Sequence, residues 1–205
     1  AFYKMKTPSF LSQLFDLSDI SDIQKLREKL LRALLFSASI VALPLYILAL
    51  IPAVREEVFS LVLIYSILYV GFLGLTFSSH ISYHFRVYGW LLILYILGIN
   101  NLVNSGFNVD AGLFFLTFLI MTVLFFDLRK TVIAMALSLT SITLIGYLIV
   151  QENYELSIGL PQTNPILWWV GGTIFLLMGF MTTVSVSVLM NRLTENLGKI
   201  KKSSS

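Results

Sequence analysis

The chain has 205 residues, 57% of them hydrophobic and 12% charged, with a mean hydropathy of +0.86 and a formal charge of +3. About a quarter of the positions in a soluble domain are charged, so this composition excludes an ordinary water-soluble fold of the same length. The absence of cysteine excludes a disulfide framework, a CxxC metal site and a thiol nucleophile.

Residues 1–32 read as a separate element. Phe10, Leu11, Leu14, Phe15 and Leu17 cluster after Pro8, and the polar run Ser18 to Asp22 then supplies helix caps. Ile23, Leu26 and Leu30 recur at helical spacing with Lys25, Arg27, Glu28, Lys29 and Arg32 between them. That pattern predicts an amphipathic helix lying in the membrane interface and bending into the first span.

Six apolar segments follow: Ala33 to Val54, Val58 to Ser78, Val87 to Val103, Ala111 to Phe126, Thr131 to Val150 and Ile166 to Met190. An α-helix needs about 20 residues to cross a hydrocarbon core about 30 Å thick. The expected fold is therefore an all-α, polytopic membrane protein with six transmembrane helices. The first span, with five others behind it and no small-residue cleavage site, reads as a retained helix rather than a signal peptide.

Pro44 lies inside the first segment and Pro52 near its end, where an interior proline removes a backbone hydrogen bond and favours a kink. The loop Ser78 to Arg86 carries His80 and His84, four apart, which on a helix would put both imidazoles on one face. No acidic residue or cysteine lies beside them to complete a metal-ligand set, and they read as interfacial anchors. The turn Asn104 to Asp110 contains Ser105 and Gly106, and Trp168 and Trp169 open the sixth segment at a depth indoles favour.

Charge sets the orientation. Of the 14 Lys and Arg residues, 13 lie before segment one, between two and three, between four and five, or after six; Arg55 alone lies on the other side. Short basic loops stay in the cytoplasm, so both termini are expected there. These bases are spread over four junctions, which fits contact with a lipid bilayer and its anionic headgroups and gives no reason to expect a nucleic-acid partner.

Asn100, Asn101 and Asn104 gather at the outer end of the third segment. Polar groups at membrane depth need partners or a cavity, so these three amides, with Trp168, are the candidate lining of an outward-facing ligand pocket. Hydrogen bonding between helices and an N-terminal cap for the fourth segment are the plainer explanation of the same residues. After the sixth segment, Val186, Met190, Leu193, Leu197 and Ile200 are spaced four, three, four and three, a heptad seam flanked by Arg192, Glu195 and Lys199. The sixth helix is therefore expected to run from Ile166 to Ile200 and continue into a coiled coil joining two copies of the chain, with a frayed helical end as the other reading of two heptads that contain Gly198.

Catalytic chemistry is not in view. No lysine lies within a segment to form a retinal Schiff base, and no mid-membrane charge suggests a pump. Ser105 and the histidines fall at opposite faces, and neither a paired-carboxylate metal motif, a Gly-rich phosphate loop nor an inverted repeat is visible. The reading assigns no catalytic residue, no metal ligand and no cofactor.

The run Tyr95-Ile-Leu-Gly-Ile-Asn-Asn-Leu-Val-Asn-Ser-Gly106, then Ala111-Gly-Leu-Phe-Phe-Leu, then Leu124-Phe-Phe-Asp-Leu-Arg129, resembles the N-terminal six-helix membrane module of bacterial sensor proteins. The resemblance covers most of residues 8 to 200, with Asp127 standing where a glycine is usual. In such proteins the coil after the sixth helix leads into PAS, GAF, histidine kinase or diguanylate cyclase domains. The resemblance implies a multi-pass protein of the bacterial cytoplasmic (inner) membrane, a homodimer whose cytoplasmic output domains, those of a two-component histidine kinase, act on a response regulator. The corresponding division is 1–32 interfacial segment, 33–190 transmembrane sensor domain and 191–205 start of the signalling helix. A small channel or transporter subunit and a passive membrane anchor are the other classes left open.

Overall fold

A computed structural model describes residues 23–55, 57–78, 80–126, 128–151 and 165–203 of the chain. All the regular structure among them is helical: α1 (Ile23–Arg55), α2 (Phe59–Phe77), α3 (Tyr83–Ser105), α4 (Val109–Phe125), α5 (Leu128–Val150) and α6 (Pro165–Ser203). The hydrophobic cluster expected between Phe10 and Leu17 lies outside the described residues.

Five of these helices, all but α4, are long and apolar enough to cross a membrane. α4 is equally apolar, but its 17 residues span about 26 Å at 1.5 Å per residue, short of a core about 30 Å thick. The amphipathic stretch at Ile23 to Leu30 and the first apolar segment form one helix without interruption, which also continues through Pro44. His80 and His84 do not share a helix. His84 is in the first turn of α3, while His80 sits in the turn before it, so the four-residue spacing carries no common face.

The chain divides into two compact units, Ala1–Arg86 with Leu193–Ser205, and Val87–Arg192. In the first, α1 and α2 pack along one another. The Tyr46 ring stacks on Tyr69 with centroids 4.6 Å apart and planes 5° from parallel, and its hydroxyl lies 2.8 Å from the Ser66 hydroxyl. Ser66 already donates to the Val62 carbonyl at 2.7 Å, so Tyr46 is the donor of the shared bond. Phe59, Leu63, Ile67, Val70 and Phe77 form an apolar stripe along the exposed face of α2. Such a face is stable in hydrocarbon and costly in water.

The second unit holds α4, α5 and most of α3 and α6. Its core contains Leu102, Ala111, Phe115 and Leu119, each with no exposed surface. Serine and threonine on these helices turn their hydroxyls back to the preceding turn, as Thr122 does to the Phe118 carbonyl at 2.7 Å and Ser138 to that of Ala134 at 2.9 Å. These hydroxyls are thereby satisfied within an apolar bundle.

Candidate functional site

The Ser105 end of α3 is fixed by two local devices. Gly106 adopts φ 71°, a left-handed conformation in which its N–H caps the Leu102 carbonyl at 3.1 Å and the chain reverses. Asn108 then accepts the Ala111 N–H on its side-chain oxygen at 2.9 Å, with Asp110 in the first turn of α4. The cap of α4 is thus Asn108, an asparagine the sequence reading passed over although Asn just before an apolar run is the ordinary sign of a helix start.

On α3 itself the structure brings Asn100 and Asn104 together. Asn104 Nδ2 donates to the Asn100 backbone carbonyl at 2.7 Å and to its Oδ1 at 3.2 Å. Asn101 turns its amide to the Leu97 carbonyl at 2.9 Å. Asn100 is 8% exposed, and among the described residues its Nδ2 has no hydrogen-bond partner. A buried amide left without an acceptor loses its hydration with nothing in return, and so has an energetic demand that a bound acceptor would meet. Thr183, buried on α6, likewise has no partner for its hydroxyl among the described residues.

Trp168 is buried at the start of α6. Its indole packs on Gly146 of α5, and its ring centroid lies 6.2 Å from that of Phe107, the residue after Gly106. The Phe107 ring in turn covers Gly171 of α6, and Leu119 of α4 lies over Gly179, where an added Cβ would come within 2.9 Å of Leu119 Cδ1. Small residues therefore set the approach of α6 to its neighbours, as is usual where packing must hold helices together without water. An aromatic seam lies beneath. Phe115 is 5.9 Å from Tyr95 and 6.1 Å from Phe175 by centroids, joining α3, α4 and α6. The Tyr95 hydroxyl is 2.7 Å from that of Ser141 on α5, which donates to the Leu137 carbonyl, so Tyr95 is the donor.

A groove of about 340 Å³ opens between α3, α4 and α5, its walls including Tyr88, Tyr95, Phe118, Phe126 and Leu137, with Lys130 at one end. The Lys130 ammonium sits 4.3 Å above the Phe126 ring and 5.9 Å from that of Tyr88, and donates to the Tyr88 hydroxyl at 3.4 Å. The arrangement can hold an apolar chain beside a fixed positive charge.

α6 runs 39 residues without a break, about 58 Å, which is longer than a bilayer core by nearly a factor of two. Along the expected seam, Val186 and Met190 are half-buried and Leu193 is exposed; the side chain of Leu197 lies outside the described residues. Arg192 and Glu195, off the seam, are exposed.

No curated protein and no solved structure matches the chain. The MASE11 family profile matches residues 25–193, a stretch that takes in nearly all of α1 and continues into the last part of α6. MASE domains are membrane-associated sensory modules, a role consistent with the long apolar helices and the buried polar groups among them. This chain belongs to the MASE11 family.

Proposed function

We propose that the chain is the sensor of a dimeric two-component histidine kinase in the bacterial inner membrane, with six crossings and both termini in the cytoplasm. The observation that carries this reading is the single helix α6, which continues well beyond the length a bilayer needs and keeps a four-three apolar spacing where its flanks become polar. A second α6 would cover the stripe Val186, Met190, Leu193 and Leu197 in a parallel pair. The kinase output domains would follow that pair and pass phosphate to a response regulator.

The stimulus is a small apolar or amphipathic molecule with a hydrogen-bond acceptor, received by Asn100, Asn101, Asn104 and Trp168. The unpartnered Asn100 amide supports the acceptor, and the Gly146 and Gly171 contacts make α6 sensitive to any change at Trp168 and Phe107. Binding shifts the packing of α6 between two arrangements that differ in affinity for the stimulus, and only that difference moves the equilibrium.

The test is a fusion of the chain to a kinase catalytic core with one to seven residues inserted after Leu193. Each added helical residue turns the output by about 100°, and seven restore the seam. Autophosphorylation should rise and fall with insertion length and recover at seven. Activity indifferent to insertion length, or declining steadily with it, overturns the reading.

A further inference from the structure

The Ala1–Arg86 unit contains a polar cavity that none of the asparagines lines. It measures about 110 Å³ and is lined by Glu28, Leu31 and Arg32 of α1, by Ile81, and by Tyr83 and Arg86 of α3. Arg86 is 9% exposed. One of its terminal nitrogens donates to the Ser78 carbonyl, and among the described residues its Nε has no hydrogen-bond partner. A guanidinium does not give up its proton in a protein, and a buried charge is costly unless an opposite charge meets it. Ser78 offers only a neutral carbonyl. Among the described residues no carboxylate forms an ion pair with Arg86, and the one acid lining the cavity, Glu28, is offset by Arg32 one turn along the same helix.

We propose that this cavity binds a phosphate group, gripped by the buried Arg86 guanidinium within and the exposed Arg32 at the mouth. A planar guanidinium matches two oxygens of a tetrahedral oxyanion at once, and the available N–H at Nε completes that fork. The cavity's volume admits a phosphate, with the group that carries it lying outside. It lies where α1 carries its basic residues and where α3 begins, the level at which phospholipid headgroups meet a spanning helix. The phosphate therefore comes either from an anionic phospholipid or from solution.

The experiment uses the purified chain in maltoside micelles, which contain no phosphate, and follows thermal unfolding at constant ionic strength. One arm titrates inorganic phosphate against chloride; a second adds phosphatidylglycerol; a third adds a diacyl glycolipid without phosphate. A ligand that binds only the folded protein raises its unfolding temperature with concentration. Stabilisation by inorganic phosphate identifies a soluble source, and stabilisation by phosphatidylglycerol but not by phosphate or the glycolipid identifies the headgroup. In either case Arg86→Gln should abolish the effect and Arg32→Gln should weaken apparent affinity about tenfold, as expected for losing a charged hydrogen bond. Arg32 is exposed, so its variant folds even if Arg86→Gln does not. Equal stabilisation of wild type and Arg32→Gln, stabilisation by the glycolipid alone, or no stabilisation in any arm overturns the proposal.

Discussion

The indole of Trp168 on α6 lies so close over Gly146 on α5 that a Cβ at that glycine would stand 2.5 Å from Cε3 and 2.7 Å from Cδ2 of the ring. No real contact is that short, and Trp168 is buried, so the ring has little room to retreat. Gly146→Ala should destabilise the chain by about 1 to 3 kcal/mol, the range for overpacking a well-filled site. Gly112 of α4 has nothing within 4 Å of the equivalent position. Gly112→Ala should therefore cost nothing and can add about 0.5 to 1 kcal/mol through helix propensity. Thermal unfolding of the two variants in the same detergent measures the contrast, and equal loss in both would refute the close packing at Trp168.

Tyr95 and Ser141 tie α3 to α5 through one hydrogen bond of 2.7 Å. Tyr95→Phe and Ser141→Ala should each destabilise modestly. In a double-mutant cycle their coupling should be about 0.6 kcal/mol and below about 2 kcal/mol, the range of side-chain bonds inside membrane bundles. Additive effects would mean that the two hydroxyls do not interact.

The helices were legible because apolar length and charge mark where a chain enters and leaves hydrocarbon, but those signals mark the apolar core and not the helix end. The segment expected from Val87 begins as a helix at Tyr83, and the one expected from Thr131 begins at Leu128. Helical hydrogen bonding continues into the polar flanks, which hydropathy alone cannot see. The turn after α3 was legible in Gly106 because a left-handed residue favours glycine. The contact of Trp168 with Gly146 was not, since 22 positions separate them and only tertiary packing chooses the partner. In the sequence Arg86 is one orienting charge among the other bases, and its burial depends on what surrounds it in space.

The proposed orientation is open to labelling because the native chain has no cysteine. In intact cells an impermeant thiol reagent should modify Arg55→Cys and leave Ser205→Cys and Arg129→Cys untouched until the membrane is permeabilised. The 13-to-1 distribution of basic residues is the reason for that expectation. Labelling of Ser205→Cys from outside would invert the topology.

The central claim is that α6 pairs with its counterpart and carries the signal out of the membrane. Its most direct test is oxidative cross-linking of single-cysteine variants in native membranes. A disulfide forms only when Cα atoms approach within about 7 Å, so seam positions should react and outward positions should not. The account predicts efficient cross-linking for Met190→Cys, Leu193→Cys and Leu197→Cys, and little for Arg192→Cys and Glu195→Cys. Uniform cross-linking at all five positions, or none at any, would contradict it and leave the sensor without a transmission element.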